Sequence, residues 1–139
     1  MYLIDTNVIS EARKGRKADK GVRRFFERIA DPQEEVFLSV VTIGELRRGI
    51  ELIRYRGDER QAQRLEEWLT TILSEYRDNI LDIDEEIAQI WGKLRALHPG
   101  NALDKQIAAT ALIHNLTVVT RNQKDYEETG IKLINPFGD

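Results

Sequence analysis

Short apolar runs separated by longer amphipathic stretches constrain this fold more than any other feature of the chain. Tyr2-Leu3-Ile4-Asp5, Val36-Phe37-Leu38-Ser39-Val40, Ile80-Leu81-Asp82-Ile83 and Leu116-Thr117-Val118-Val119-Thr120 have the length and composition of buried strands. Lys132 to Ile134 is a further candidate, stopped by Pro136. Between these runs the apolar residues recur at helical spacing. Strands alternating with helices imply a parallel sheet covered on both faces. Because the helices outnumber the strands, extra helices should stack on one side. The expectation is an α/β fold of three layers, a central parallel sheet flanked by helices. At 139 residues it should form a single domain spanning 1–139, long enough to bury roughly two thirds of its unfolded surface.

Local signals place the helices. Thr6 or Asn7 can cap a short helix after the first strand. A basic amphipathic helix is predicted from about Lys17 to Ala30, ended by Asp31-Pro32. Thr42-Ile43-Gly44-Glu45 has capping-box spacing and opens a helix with Leu46, Ile50 and Ile53 on its apolar stripe. Arg56-Gly57-Asp58 breaks that helix, and the next carries Leu65, Trp68, Leu69, Ile72 and Leu73. Asp84 caps a helix through Ile87, Ile90, Trp91 and Leu94, which Pro99-Gly100 terminates. An alanine-rich helix runs from about Ala102 to His114.

Composition removes several chemistries. With no cysteine there are no disulfides, thiolate metal sites or thiol catalysis, and His98 and His114 are too few for a histidine-rich metal site. The chain starts directly in a strand, without a basic and apolar leader, and no apolar run approaches the ~20 residues that span a bilayer. A cytoplasmic protein with no membrane association is expected. The net charge of −3 argues against indiscriminate nucleic-acid binding, but the charge is segregated. Arg13 to Arg28 holds eight basic residues against two acids, while acids dominate from Glu75 to Glu86.

The informative polar residues sit where strands end and helices begin, the edge at which α/β sheets bind ligands. Asp5 closes the first strand. It could cap the following helix, but Thr6 and Asn7 stand beside it for that purpose. Glu45 is either the capping-box glutamate, able to pair with Arg48, or a site acid on the inward stripe with Gly49, Leu52 and Ile53. Asp104 lines up with Ala108, Ala111 and Leu112, on the face that packs against the sheet, while Lys105 points elsewhere. The helix dipole favours an acid there, but so would a solvated position, without desolvating the charge. Asn122 and Asp125 follow the strand Thr117 to Thr120 as turn residues or as further ligands. Two carboxylates ~5 Å apart at an effective dielectric of about 20 repel by roughly 3 kcal/mol. A cluster of them therefore needs a cation or raised pKa values. Oxygen ligands alone point to Mg²⁺ or Mn²⁺, and to hydrolysis of a phosphodiester by a metal-activated water.

Four blocks, Tyr2 to Asn7, Thr42 to Leu46, Asp104 to Ala111, and Val119 to Asn122 with Asp125-Tyr126, occur in the order and spacing of a known family. Together they resemble the PIN domain, specifically the VapC-type toxins of type II toxin–antitoxin pairs. The resemblance implies a PIN-like sheet with the first and fourth strands central, and a Mg²⁺- or Mn²⁺-dependent endoribonuclease. It implies Asp5, Glu45 and Asp104 as catalytic and metal-binding acids, with Thr6 supporting the first. Either Asn122 or Asp125 fills the fourth, variable position. It further implies an RNA substrate, a homodimer, and a cognate antitoxin whose tail lies in a groove near the acids. Lys17, Lys20, Arg23 and Arg24 are the candidate RNA contacts, set against a merely solvated basic face. A receiver-type signalling domain fits poorly, because Asp5 is followed by Thr6 and Ile134 by Asn135-Pro136. A catalytically silent PIN-like module that binds RNA or protein is the remaining alternative.

Overall fold

Five parallel strands form the sheet: β1 (Tyr2–Ile4), β2 (Val36–Ser39), β3 (Ile80–Leu81), β4 (Thr117–Val119) and β5 (Leu133–Ile134). Their order is β3-β2-β1-β4-β5. The chain moves outward from β1 to β3, then crosses back to place β4 on the other side of β1. That reversal opens a switch point at the carboxyl ends of β1 and β4, where open α/β sheets take their ligands. The structure, a computed structural model, describes residues 1–30 and 34–138. Among the described residues six α-helices surround the sheet: α1 (Thr6–Ala12), α2 (Lys20–Ala30), α3 (Val40–Tyr55), α4 (Glu59–Glu75), α5 (Glu85–Leu97) and α6 (Ala102–His114).

Alternation along the strands divides the core in two. Ile4, Leu38 and Val119 face one way and join Val8 and Ile9 of α1, Val22 and Phe25 of α2, Leu46 and Ile50 of α3, and Leu69 and Ile72 of α4. Leu3 and Val118 face the other way, onto Ile107, Ala108 and Ala111 of α6, with Leu94 of α5 beside them. Four helices therefore cover one face and two the other, the expected asymmetry. The small side chains of α6 let it lie close to the strands.

Two helix starts differ from the sequence expectation for one reason. Strands β1 and β2 pass into helices with no intervening loop, so the last polar residue at each strand end becomes the cap. Asp5 Oδ1 accepts from the Thr6 amide at 2.8 Å, and Thr6 and Asn7 lie inside α1. Ser39 Oγ accepts from the Val41 amide at 3.0 Å. Helix α3 thus begins before Thr42, which lies in its first turn completely buried, and the Thr42–Glu45 capping box does not form. The basic helix also starts later than expected. Gly15–Lys17 is a 3₁₀ turn, and Asp19 Oδ1 accepts from the Gly21 and Val22 amides at 2.8 and 3.2 Å. The expected stop at Asp31-Pro32 lies outside the described residues. Gly21 has no room for a Cβ beneath the Pro136 carbonyl, so the segment after β5 lies across the start of α2. Gly57, at φ +97°, breaks α3 from α4 as expected. Among the described residues no helix is long and apolar enough to cross a membrane.

Candidate active site

Asp5 stands at the carboxyl end of the central strand and is buried, with three donors on its carboxylate. Besides the Thr6 amide on Oδ1, Oδ2 accepts from Thr120 Oγ1 at 2.8 Å and from the Tyr126 hydroxyl at 3.0 Å. Thr120 directly follows β4, so the strand order carries it to Asp5 across 115 positions of sequence. Asp5 is therefore both the cap of α1 and a candidate ligand. Oδ1 caps the helix and, among the described residues, keeps a lone pair, while the two hydroxyls fill Oδ2.

Asp104 lies in the first turn of α6, half-buried, with Oδ1 3.4 Å from the same Tyr126 hydroxyl. It shares its face with buried Ala108 and Ala111, while Leu112, expected on that face, is 41% exposed. Lys105 does point away from Asp104, but into the protein. Its ammonium is buried and donates to the carbonyls of Gly100 and Asp125, at 3.3 and 3.5 Å. It ties two loops together and pairs with neither acid's carboxylate. Glu45 Oε1 accepts from Thr6 Oγ1 at 2.7 Å, not from Arg48. Its neighbours along the cleft are Gly49 and Ile53, whereas Leu52 is exposed. Asp125 Oδ1 accepts from Asn101 Nδ2 at 3.1 Å. Asn122 is exposed, and its amide N–H donates to Thr120 Oγ1 at 3.0 Å.

The charges of these acids are felt by one another. Burial, then the charges of Asp5, Asp125 and Glu45, raise Asp104 to about 7, against which the Tyr126 hydrogen bond acts only partly. Burial also raises Asp5; the Thr120, Thr6 and Tyr126 hydrogen bonds oppose that rise, and the charge of Asp125 adds to it. Tyr126 is raised too, by burial and then by Asp5 and Asp104, so it stays protonated and acts as a donor. Of Asn122 and Asp125, it is Asp125 whose charge is felt at Asp5 and Asp104. No ion pair among the described residues neutralises Asp5, Glu45, Asp104 or Asp125.

No three of these side chains close into a ready metal cage among the described residues. The donor set is nonetheless all oxygen, held by three hydrogen bonds at Asp5, and short of positive charge. That fits a hard cation that keeps several waters and uses one or two carboxylates. Thr120 and Tyr126 stand in the blocks that carry the family resemblance, but the sequence gives neither a role at the site. A threonine ending a strand and an aromatic in a turn carry no local sign that they reach Asp5, beyond the rule that a buried tyrosine hydroxyl needs a partner.

The basic segment reaches the same edge. Asp19, at the head of α2, accepts from the Gly138 amide at 3.2 Å and is lowered in part by the charge of Arg121. The Arg121 amide donates to Asn7 Oδ1 at 3.0 Å, and its guanidinium stacks 4.7 Å over Phe137. Lys17, Lys20, Arg23 and Arg24 are all exposed. Beside them a cleft of about 390 Å³ runs between α1, α2 and α4, lined by Arg13, Phe26, Trp68, Ile72 and Tyr76. A narrower cleft continues it past Arg13 and Trp68 to Thr6 and Glu45. In the apolar stripe of α4, then, Leu69 and Ile72 complete the core, Trp68 and Leu65 line the clefts, and Leu73 is exposed.

The chain is similar to known proteins over its whole length. The PIN domain family matches residues 2–132. The chain is 34% identical to Toxin FitB of Neisseria gonorrhoeae, with 100% of both chains covered. It is 32% identical to VapC ribonuclease Y4jK of Sinorhizobium fredii, covering 99% of this chain and 98% of that one. Its fold matches the crystal structure of FitAcB from Neisseria gonorrhoeae with a TM-score of 0.83 and 33% identity over 98% of each chain. By a match running from Tyr2 to Lys132 and a likeness to both relatives along 98% or more of their lengths, the chain belongs to the PIN-domain family, with the VapC- and FitB-type toxins.

Proposed function

We propose that this protein is a Mg²⁺- or Mn²⁺-dependent endoribonuclease and the toxin of a toxin–antitoxin pair. The observation that carries the reading is the convergence of Asp5 and Asp104 on one buried hydroxyl, with Glu45 and Asp125 close enough to repel them. A bound divalent cation would supply an acidified water and charge to offset the phosphate. Asp5 and Asp104 would hold it, with Glu45, kept in place by Thr6, and Asp125, kept in place by Asn101, completing the acidic wall. Exposed bases at the head of α2 would lead the RNA backbone to that wall. The relatives named a VapC ribonuclease and a toxin support the substrate class and the biological role. The direct test is cleavage of total RNA by the purified chain. Mg²⁺ or Mn²⁺ should support it and excess EDTA should abolish it; undiminished cutting in EDTA would overturn the metal-dependent reading. RNA binding without cutting in either metal would favour the silent module.

The partner reading rests on the cleft that joins Trp68 to Glu45. An antitoxin tail with apolar side chains on Trp68 and Phe26 and one basic side chain among the acids would fill it, and would exclude metal at the same time. Co-expression of the adjacent small reading frame is expected to relieve growth arrest, and the two proteins should co-purify. Trp68→Ala should weaken that complex by about 2 kcal/mol, as expected for a buried aromatic anchor. An unchanged affinity would remove the cleft from the interface. A homodimer is also expected, and sedimentation of the isolated chain would show it.

A further inference from the structure

Tyr126 does more than a core aromatic requires. Its ring is completely buried against Leu3, Ile107, Ala108 and Val118, a role phenylalanine would fill equally well. The hydroxyl is the added part, and it sits between Asp5 Oδ2 and Asp104 Oδ1, at 3.0 and 3.4 Å. The backbone that carries it is held independently of the carboxylates. Its amide donates to the Gln123 carbonyl at 3.0 Å, and its carbonyl accepts from Thr129 Oγ1 and the Thr129 amide at 2.6 and 3.0 Å. The turn therefore sets where the hydroxyl is, independently of the carboxylates.

We propose that Tyr126, together with Thr120, is a positioning residue that fixes the Asp5 and Asp104 carboxylates in the orientation in which they take a divalent cation. The proposal rests on the metal-dependent reading above. Two donors occupy Asp5 Oδ2, whereas among the described residues Oδ1 accepts only the Thr6 amide and keeps a lone pair free. The carboxylate cannot turn without giving up a hydrogen bond in a buried place, where a lost bond is costly. Among the described residues the Tyr126 hydroxyl is also the one side-chain group within hydrogen-bond distance of Asp104, and its single proton is shared between Asp5 at 3.0 Å and Asp104 at 3.4 Å. Hydrogen bonds that orient ligating side chains typically carry ten- to a hundredfold in metal affinity.

The opposite role is physically distinct. If the hydroxyl only offset repulsion between the two acids in the cation's absence, its removal would tighten metal binding. Calorimetric titration of Mn²⁺ into the whole chain, at a temperature where each variant is folded, separates the two. Tyr126→Phe is expected to weaken the Mn²⁺ Kd about tenfold, while Tyr55→Phe, at an exposed site, leaves it unchanged. Thr120→Val removes the other side-chain donor from Asp5 Oδ2 and should weaken it comparably; it decides the matter if the phenylalanine variant does not fold. A Kd within twofold of wild type, or a tighter one, overturns the positioning role even if the melting temperature falls. If the wild-type chain itself takes up no Mn²⁺, the metal-dependent reading fails and this proposal with it.

Discussion

Asp5→Asn and Asp104→Asn are each expected to slow RNA cleavage by at least about 10²–10³-fold, a loss of roughly 3–4 kcal/mol of transition-state stabilisation, with the fold retained. An amide keeps the shape of the carboxylate, and in Asp5→Asn the amide oxygen can still accept from Thr120 and Tyr126, so packing survives while the charge and the Thr6 cap are lost. Asp104→Asn carries a second, independent signature. In the metal-free chain Asp104 is raised from 3.8 to about 7. A group with a raised folded-state value contributes stability that is complete below about pH 4 and is lost as the pH climbs to and through about 7. Above that range the ionised carboxylate destabilises the folded chain, and asparagine relieves it. Solvent screening at this half-exposed group cuts the nominal ~4 kcal/mol to about 1–2 kcal/mol. Metal-free Asp104→Asn should then melt about 4–8 °C above wild type at pH 8, with the gap closing towards pH 4. Melting curves without metal at the two pH values check this. A variant that melts lower than wild type at pH 8, or cuts RNA at the wild-type rate, would remove Asp104 from the site.

Reversing Lys17, Lys20, Arg23 and Arg24 together to glutamate is expected to weaken RNA binding at least tenfold at low salt. It should also flatten the dependence of log K on log[salt] by about three, at ~0.7 per phosphate contact on a single strand. All four side chains are exposed, so the circular-dichroism spectrum should not change. Their place follows from the segment after β5, which lies over the head of α2 and brings Arg121 and Asp19 within reach of each other. Binding isotherms at several salt concentrations decide it. An unchanged affinity and slope would make the segment an ordinary solvated face, and Arg121 would become the next basic residue to test.

Much of the architecture was legible because it is written locally. Strand and helix periods are repeated every two or every three to four residues, so β1 to β5 and the six helices follow from apolar spacing, and parallel pairing follows from their alternation. Gly57 and Asp84 are local signals too, a left-handed break and a cap, and both stand where expected. The errors were at strand-to-helix junctions. Thr42 and Glu45 have capping-box spacing, and only the absence of a loop after β2 hands the cap to Ser39 and sends Thr42 into the interior. Asp5 was set apart from capping for the same reason.

By itself the sequence determined the layered α/β fold and the placing of Asp5 and Asp104 at element ends, because strand ends and helix starts are local properties. It also determined that no thiol or histidine cluster can do the chemistry. Only the tertiary structure decided which groups meet. The crossover that sets β4 beside β1 carries Thr120 to Asp5, and the turn after β4 aims Tyr126 at Asp5 and Asp104 together. The same packing couples Asp125, not exposed Asn122, to their charge. Such contacts depend on strand order and on the depth of α6 against the sheet, quantities that no residue's neighbours in sequence encode.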